Sequence, residues 1–110
     1  MKALPFTTHS DCVLFEADAS VYSADAVLRA AYKLTDRCFV FVFPGEQSQG
    51  KLIAALYPKD TGEDLAAIAG QFSNELIDQQ IREELNREHG HIRAAIVAQA
   101  FAEGNLLANG

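Results

Sequence analysis

The stretch CFVFVFPGEQSQGKLIAALYP, residues 38–58, decides the fold of this chain. Its first part is apolar on both faces, which is expected of a central strand covered from above and below. One face carries Phe39, Phe41 and Phe43, and we expect this row to lie in the core. A polar loop with glycine at both ends comes next, and the apolar run of residues 52–57 follows it. This order predicts an antiparallel hairpin that ends at Pro58, because proline cannot donate to a ladder.

The segment before the hairpin predicts a strand and then a helix. Apolar residues at 13–15 and 21–22 flank a softer middle, which indicates one strand, or two short strands around a bend, within residues 12–22. Ser23 is a suitable N-cap, and Asp25 suits the positive end of a helix dipole. A helix over residues 24–34 follows, because apolar side chains recur there at helical spacing: Val27, Leu28, Ala31, Tyr32 and Leu34.

The segment after the hairpin predicts two further helices. Thr61 resembles an N-cap with acidic residues after it, and one apolar stripe continues the helix through Leu65, Ile68, Ala69, Phe72 and Leu76. We expect this helix to reach about residue 89, where Gly90 is a candidate left-handed stop. Residues 92–101 are apolar around nearly the whole helix, so this last helix must be buried against the sheet or against another chain.

Together these elements predict an α+β fold in the order β-α-β-β-α-α. The sheet is expected to be small and mostly antiparallel, packed by a long helix and a C-terminal helix. A chain of 110 residues has the usual size of one domain. We therefore expect a single domain over residues 1–110, with an ordered core at about residues 12–103.

The charge balance and the cysteines limit the classes of partner and cofactor. Nine basic residues against 15 acidic ones give a net charge of -6, so nucleic acid is not an expected partner. No stretch approaches the ~20 apolar residues of a membrane span, so we expect no membrane contact and a cytoplasmic location. Cys12 and Cys38 are expected to be buried small hydrophobes. Two thiols cannot supply the ligands of an iron–sulfur cluster, and we expect no cofactor.

The polar residues of segment 72–83, FSNELIDQQIRE, are the candidate functional residues. Asp78 and Arg82 are four apart, as are Glu75 and Gln79, so local pairs on a solvated helix explain part of this polarity. The amides at positions 74, 79 and 80 are not needed for such a helix, and they can satisfy the donors and acceptors of another backbone. We therefore predict a partner-binding face formed by Asn74, Glu75, Asp78, Gln79, Arg82 and Glu83.

Signals for catalysis and metal binding are weak. There is no GxSxG pattern and no glycine-rich phosphate loop, and the spacing of His89 and His91 is not that of a zinc site. One alternative is a small acid/base enzyme in which Glu75 or Asp78 works with His89 or His91. Another is a homodimer whose apolar last helix is buried between two chains.

Residues 75–83, ELIDQQIRE, resemble the signature of the D component of the bacterial His-Xaa-Ser system, LLNDYxLRE. Positions 76, 78, 82 and 83 agree with this pattern and Ile81 stands in place of Leu, whereas positions 75, 77 and 79 differ. The layout is also similar, with Ala-Tyr at 31–32, Pro-Lys at 58–59, Ile-Arg at 92–93 and Ala-Phe at 100–101. The resemblance covers about residues 12–103.

The resemblance implies an accessory protein of peptide modification and not a catalyst. The system it implies pairs a protein that carries His-Xaa-Ser repeats with two radical S-adenosylmethionine enzymes, so the repeat protein and these maturases are the expected partners. An exposed strand edge would add a substrate peptide by backbone pairing, and the helix face of residues 74–83 would dock a maturase.

Overall fold

The computed structural model describes the backbone of residues 4–45 and 50–109, and the side chains of residues 4–45 and 50–88. The elements, in chain order, are β1 (Phe6–Thr8), β2 (Val13–Asp18), α1 (Ala24–Lys33), β3 (Cys38–Pro44), β4 (Lys51–Pro58) and α2 (Leu65–Asn109). The predicted α+β fold is confirmed, with a short additional strand at the start. The chain forms two compact units, one that ends at Gln80 and one that begins at Ile81.

The four strands form one antiparallel sheet in the order β1-β2-β4-β3. Strand β3 pairs with β4 as the predicted hairpin, with Phe41 opposite Ala55. Strand β4 also pairs with β2, where Ala54 lies opposite Phe15. Strand β4 is therefore central and β3 lies at the edge, so our prediction that β3 is a central strand is wrong.

The core of the first unit lies between one face of the sheet, the inner face, and the two helices. Phe15 and Leu56 point from the sheet into this core. Phe72 of α2 meets Phe15 with ring centroids 4.9 Å apart in an edge-to-face arrangement, which adds to the burial energy of both rings. Helix α1 contributes small residues that allow close approach to the sheet, and the buried set on α1 is Ala26, Val27, Ala30 and Ala31.

Both helix starts are capped by side-chain oxygens. Ser23 caps α1 as predicted, since its Oγ accepts the Ala26 N–H at 3.0 Å. At the start of α2 the cap is Asp64, whose Oδ1 accepts the Ala66 N–H at 3.1 Å. The prediction of Thr61 as the cap is wrong, because Gly62 adopts a φ of 95° and turns the chain before the helix begins.

Helix α2 contains both helical segments predicted after the hairpin. It continues to Asn109 and so passes through Gly90, where we predicted a stop. A glycine inside a helix costs only about 1 kcal/mol, which the neighbouring helical residues offset. The side chains of residues 92–101 lie outside the described residues, and so does the predicted burial of that segment. No helix among the described residues has the length and apolar character needed to cross a membrane.

Candidate functional site

The predicted partner-binding face begins on the α2 residues of the first unit. Asn74 and Asp78 are exposed there, whereas Glu75 is half-buried. Gln79 is only 8% exposed and is the one buried polar residue among the described side chains. Its Nε2 donates to Oε2 of Glu75 at 3.5 Å. The structure thus brings Glu75 and Gln79 together one helical turn apart, as their spacing predicts.

Gln80 has a structural role that the sequence did not reveal. Its Oε1 accepts the backbone N–H of Ser23 at 2.8 Å, which ties α2 to the N-cap of α1. The Ser23 N–H lies outside the α1 ladder, so this bond satisfies a half-buried donor. The Gln80 oxygen thus satisfies a backbone donor at the start of another helix of the same chain.

Arg82 and Glu83, the remaining predicted residues, belong to the second unit. Arg82 is exposed and Glu83 is half-buried. Oε1 of Glu83 lies 3.7 Å from Nη2 of Arg87, an i,i+4 ion pair on the helix surface. Such a pair contributes only a few tenths of a kcal/mol. The side chains of His89 and His91, which the acid/base alternative requires, lie outside the described residues.

A groove of about 380 Å³ lies along α1 and is bounded by the buried Gln79 of α2. Its other lining residues are Leu28, Arg29, Tyr32 and Lys33. Leu28 is 54% exposed and Tyr32 is 77% exposed, although we counted both in the apolar stripe of α1. That stripe is wider than the face that a helix buries against one sheet. Its width therefore indicates that some of its apolar residues are exposed to solvent.

The amide of Gln79 gives this groove a specific polar contact. Its Oε1 accepts no hydrogen bond from a described residue. This oxygen therefore keeps some exposure to water, because every fully buried side-chain oxygen in the described part of the chain has a hydrogen-bond partner. An amide oxygen of this kind can accept a hydrogen bond from a molecule that reaches it. Arg29 and Lys33 are exposed in the same groove and give it a positive edge.

The outer face of the sheet, opposite the helices, carries a second unusual surface. Phe39, Phe41 and Phe43 lie side by side on β3 and are 59%, 57% and 44% exposed. Our expectation that this row lies in the core is wrong, because no described helix covers the outer face. Two of these rings contact residues of β4 and the turn after it. Phe41 meets Tyr57 edge to face with ring centroids 5.7 Å apart, and Nζ of Lys59 lies 5.0 Å from the Phe39 ring centre.

Groups that could perform chemistry are few among the described side chains. The predicted burial of Cys12 and Cys38 is confirmed, and both are free thiols. Burial raises the pKa of the Cys38 thiol, which keeps it protonated and a poor nucleophile. The pKa of Asp18 is lowered by hydrogen bonds from the backbone N–H and the hydroxyl of Ser20. Among the described residues, no three side chains of His, Cys, Asp or Glu are grouped closely enough to hold a metal ion.

Comparison with protein families gives a match over most of the chain. A protein-family model described as "His-Xaa-Ser system protein HxsD" matches residues 17–107, which is most of the chain. The match contains α1, the β3–β4 hairpin, the groove and the whole of segment 72–83. No curated protein and no solved structure matches the chain.

Proposed function

The chain belongs to the HxsD family of His-Xaa-Ser system proteins, and from that membership we propose that it is a non-catalytic accessory protein that binds another component of the system. The binding surface in this proposal is the groove beside α1 together with the polar residues of α2 in the first unit. The partner is a radical S-adenosylmethionine maturase or the protein that carries the His-Xaa-Ser repeats.

The observation that carries the proposal is the environment of Gln79. The buried amide of Gln79 lines the groove, contacts Glu75, and shares this lining with a Tyr that is 77% exposed. Fixed polar groups next to exposed aromatic side chains are typical of the centre of protein interfaces. An apolar rim alone would not distinguish one partner from another, whereas a positioned amide does.

Charge adds a second property to the partner. Arg29 and Lys33 are exposed in the groove of a chain whose net charge is -6. A local positive edge on an acidic protein orients an incoming partner by attracting an acidic group to this point. We therefore expect the docking segment to present a carboxylate near Arg29 and an apolar side chain toward Tyr32.

The proposal also covers the residues that the sequence alone singled out. Asn74 and Asp78 lie on the exposed side of α2 in the first unit, and Arg82 and Glu83 lie in the second unit. They remain predicted contacts. A cytoplasmic location is part of the same proposal, and the two free thiols support it because disulfides are rare in that compartment.

Co-purification tests the proposal directly. The tagged chain is expressed with the radical S-adenosylmethionine maturases and the repeat protein of a His-Xaa-Ser system, and the bound protein is quantified for the wild type, Tyr32→Ala and Gln79→Ala. We expect each substitution to weaken binding about tenfold or more, as for the central residues of other interfaces. Asp60→Ala, an exposed change on the turn before α2, is the matched control and should bind like the wild type.

Two outcomes would contradict the proposal in different ways. If the wild type captures none of these proteins, the accessory role fails. If it captures one of them and the folded variants bind equally well, the groove is the wrong surface. In that second case Asp78→Ala and Arg82→Ala, tested separately, show whether the exposed helix residues of either unit make the contact.

A further inference from the structure

The free edge of β3 presents backbone groups that no described strand uses. The N–H of Gly45 donates to the Lys51 carbonyl at 3.0 Å, and the N–H of Lys59 donates to the Arg37 carbonyl at 2.8 Å. In an antiparallel ladder the residues that exchange such bonds alternate along each strand. Odd-numbered residues of β3 thus face β4, so the N–H and carbonyl groups of Val40 and Val42 point away from the sheet.

The ends of this edge are closed. The N–H of Cys38 is already bonded to the Leu34 carbonyl at 2.8 Å, and Pro44 has no N–H to offer. Natural sheets use proline to limit pairing at exposed edges. What remains open is a short stretch centred on Phe41, with a donor and an acceptor at Val40 and again at Val42. Its length suits one extended peptide segment.

The apolar row beside this edge also has the size of a peptide site. With 59%, 57% and 44% of their surface exposed, the side chains of Phe39, Phe41 and Phe43 leave roughly 300 Å² open to solvent. A stable interface between two folded proteins buries about 800 Å² on each partner. The row is therefore too small to hold a second copy of the chain by itself, whereas a strand added at the edge would cover it with alternate side chains.

Charge also distinguishes a second copy of the chain from a peptide segment as the ligand of this edge. Each copy of this chain carries a net charge of -6, so the whole-chain fields of two copies repel each other. A short extended segment meets no such repulsion, and Lys59, whose Nζ lies 5.0 Å from the Phe39 ring centre, places a cation at the row itself.

From the ladder phase, the Phe row and the charge, we infer that the edge of β3 binds an extended peptide segment of a partner as an added strand. The segment pairs with Val40 and Val42, and it places apolar or aromatic side chains on alternate residues beside Phe39, Phe41 and Phe43. This site is distinct from the groove. The edge site does not depend on the proposed function, whereas the use of peptides from a repeat protein as probes rests on it.

The experiment follows backbone amides by hydrogen exchange and two-dimensional NMR of the full chain. One probe is a designed peptide, Lys-Thr-Phe-Thr-Val-Thr-Phe-Thr-Lys, and the other is a set of peptides that tile the repeat protein of a His-Xaa-Ser system. We expect the designed peptide to slow exchange at Val40 and Val42 at least tenfold, with little change at the amides of β1. At least one tiled peptide should do the same.

Two variants at one position isolate the backbone contact. Val42→Pro removes an N–H that points away from β4, so the β3–β4 ladder stays intact, and we expect peptide binding to weaken at least tenfold. Val42→Thr keeps the N–H and the branched shape and serves as the matched control. Phe41→Thr, a change at an exposed side chain that retains strand preference, should also weaken binding.

Each possible result supports or overturns the inference. Unchanged exchange at Val40 and Val42 with the designed peptide overturns it, and so does equal binding by Val42→Pro and Val42→Thr. A species of twice 12.0 kDa whose Val40 and Val42 amides are protected without peptide assigns the edge to a second copy instead. Binding of the designed peptide but of no tiled peptide leaves the edge site standing and removes the repeat protein as its ligand, a result separate from failed capture at the groove.

Discussion

The two faces of the sheet should respond very differently to the loss of a phenylalanine. Phe15 on the inner face is 2% exposed, whereas Phe41 on the outer face is 57% exposed. A fully buried Phe removes about 200 Å² from water, which at ~25 cal/mol per Å² corresponds to roughly 5 kcal/mol as an upper bound. We expect Phe15→Ala to lower the free energy of unfolding by about 3–5 kcal/mol, which includes the lost ring contact with Phe72.

For Phe41→Ala the same reasoning gives a much smaller effect. Less than half of this side chain is buried, and its main ring contact is with the half-buried Tyr57. The expected loss is about 1–2 kcal/mol. Urea unfolding of the two variants and the wild type, followed by far-UV circular dichroism, measures both values. Phe39→Ala is the matched control, because its exposure is close to that of Phe41 and its loss should be of similar size.

A loss at Phe41 as large as that at Phe15 would refute this account. It would mean that the outer face is covered in solution, either by the rest of the chain or by a second copy. Repeating the unfolding at several protein concentrations separates these cases, because only a dimer makes the midpoint depend on concentration.

Three further predictions concern single polar groups. Gln80→Ala should cost about 1 kcal/mol in urea unfolding, because it removes the acceptor for the half-buried N–H at the N-cap of α1. Asp64→Ala should cost about 1 kcal/mol and Thr61→Ala much less, and the reverse order would restore Thr61 as the cap. The folded-state pKa of Asp18 lies below its ordinary value of 3.8, so its hydrogen bonds from Ser20 stabilise the fold above that value and are lost as the pH falls through the folded pKa. Any gap in urea midpoint between the wild type and Ser20→Ala should therefore be constant near neutral pH and shrink in acid, and a gap that widens in acid would contradict the assignment.

Local signals predicted much of the fold. The cap at Ser23 and the β3–β4 hairpin each depend on residues close together in the chain, and the structure contains both. The strand order did not follow from such signals, because β4 is made central by pairing with β2, from a separate part of the chain. A strand that is apolar on both faces also has the same sequence pattern whether its outer face is covered by a second layer of the fold or by a partner. That ambiguity placed Phe41 in the core.

Residue spacing predicted the contact between Glu75 and Gln79 but not the groove that Gln79 lines. The amides of segment 72–83 exceeded what a solvated helix needs, and Gln79 does line the groove. Gln80 uses its oxygen on Ser23, 57 residues away in the sequence, a contact that residue spacing cannot show. The role of Leu28 and Tyr32 was missed because helical spacing identifies apolar residues without showing which of them the sheet covers.

The two proposed surfaces lie on opposite sides of the same sheet. The groove is formed by α1 and α2, which pack on the inner face, and the Phe row lies on the outer face of β3. Neither surface shares a residue with the other, so one partner at the groove does not block a peptide at the edge. An accessory protein that holds both would turn the meeting of enzyme and peptide into an intramolecular step, which raises their effective concentration toward the millimolar range. This advantage requires no catalytic group on the chain itself. It does require that Phe41 stay exposed, which gives a reason for an aromatic row at a position where the stability of the fold gains little from it.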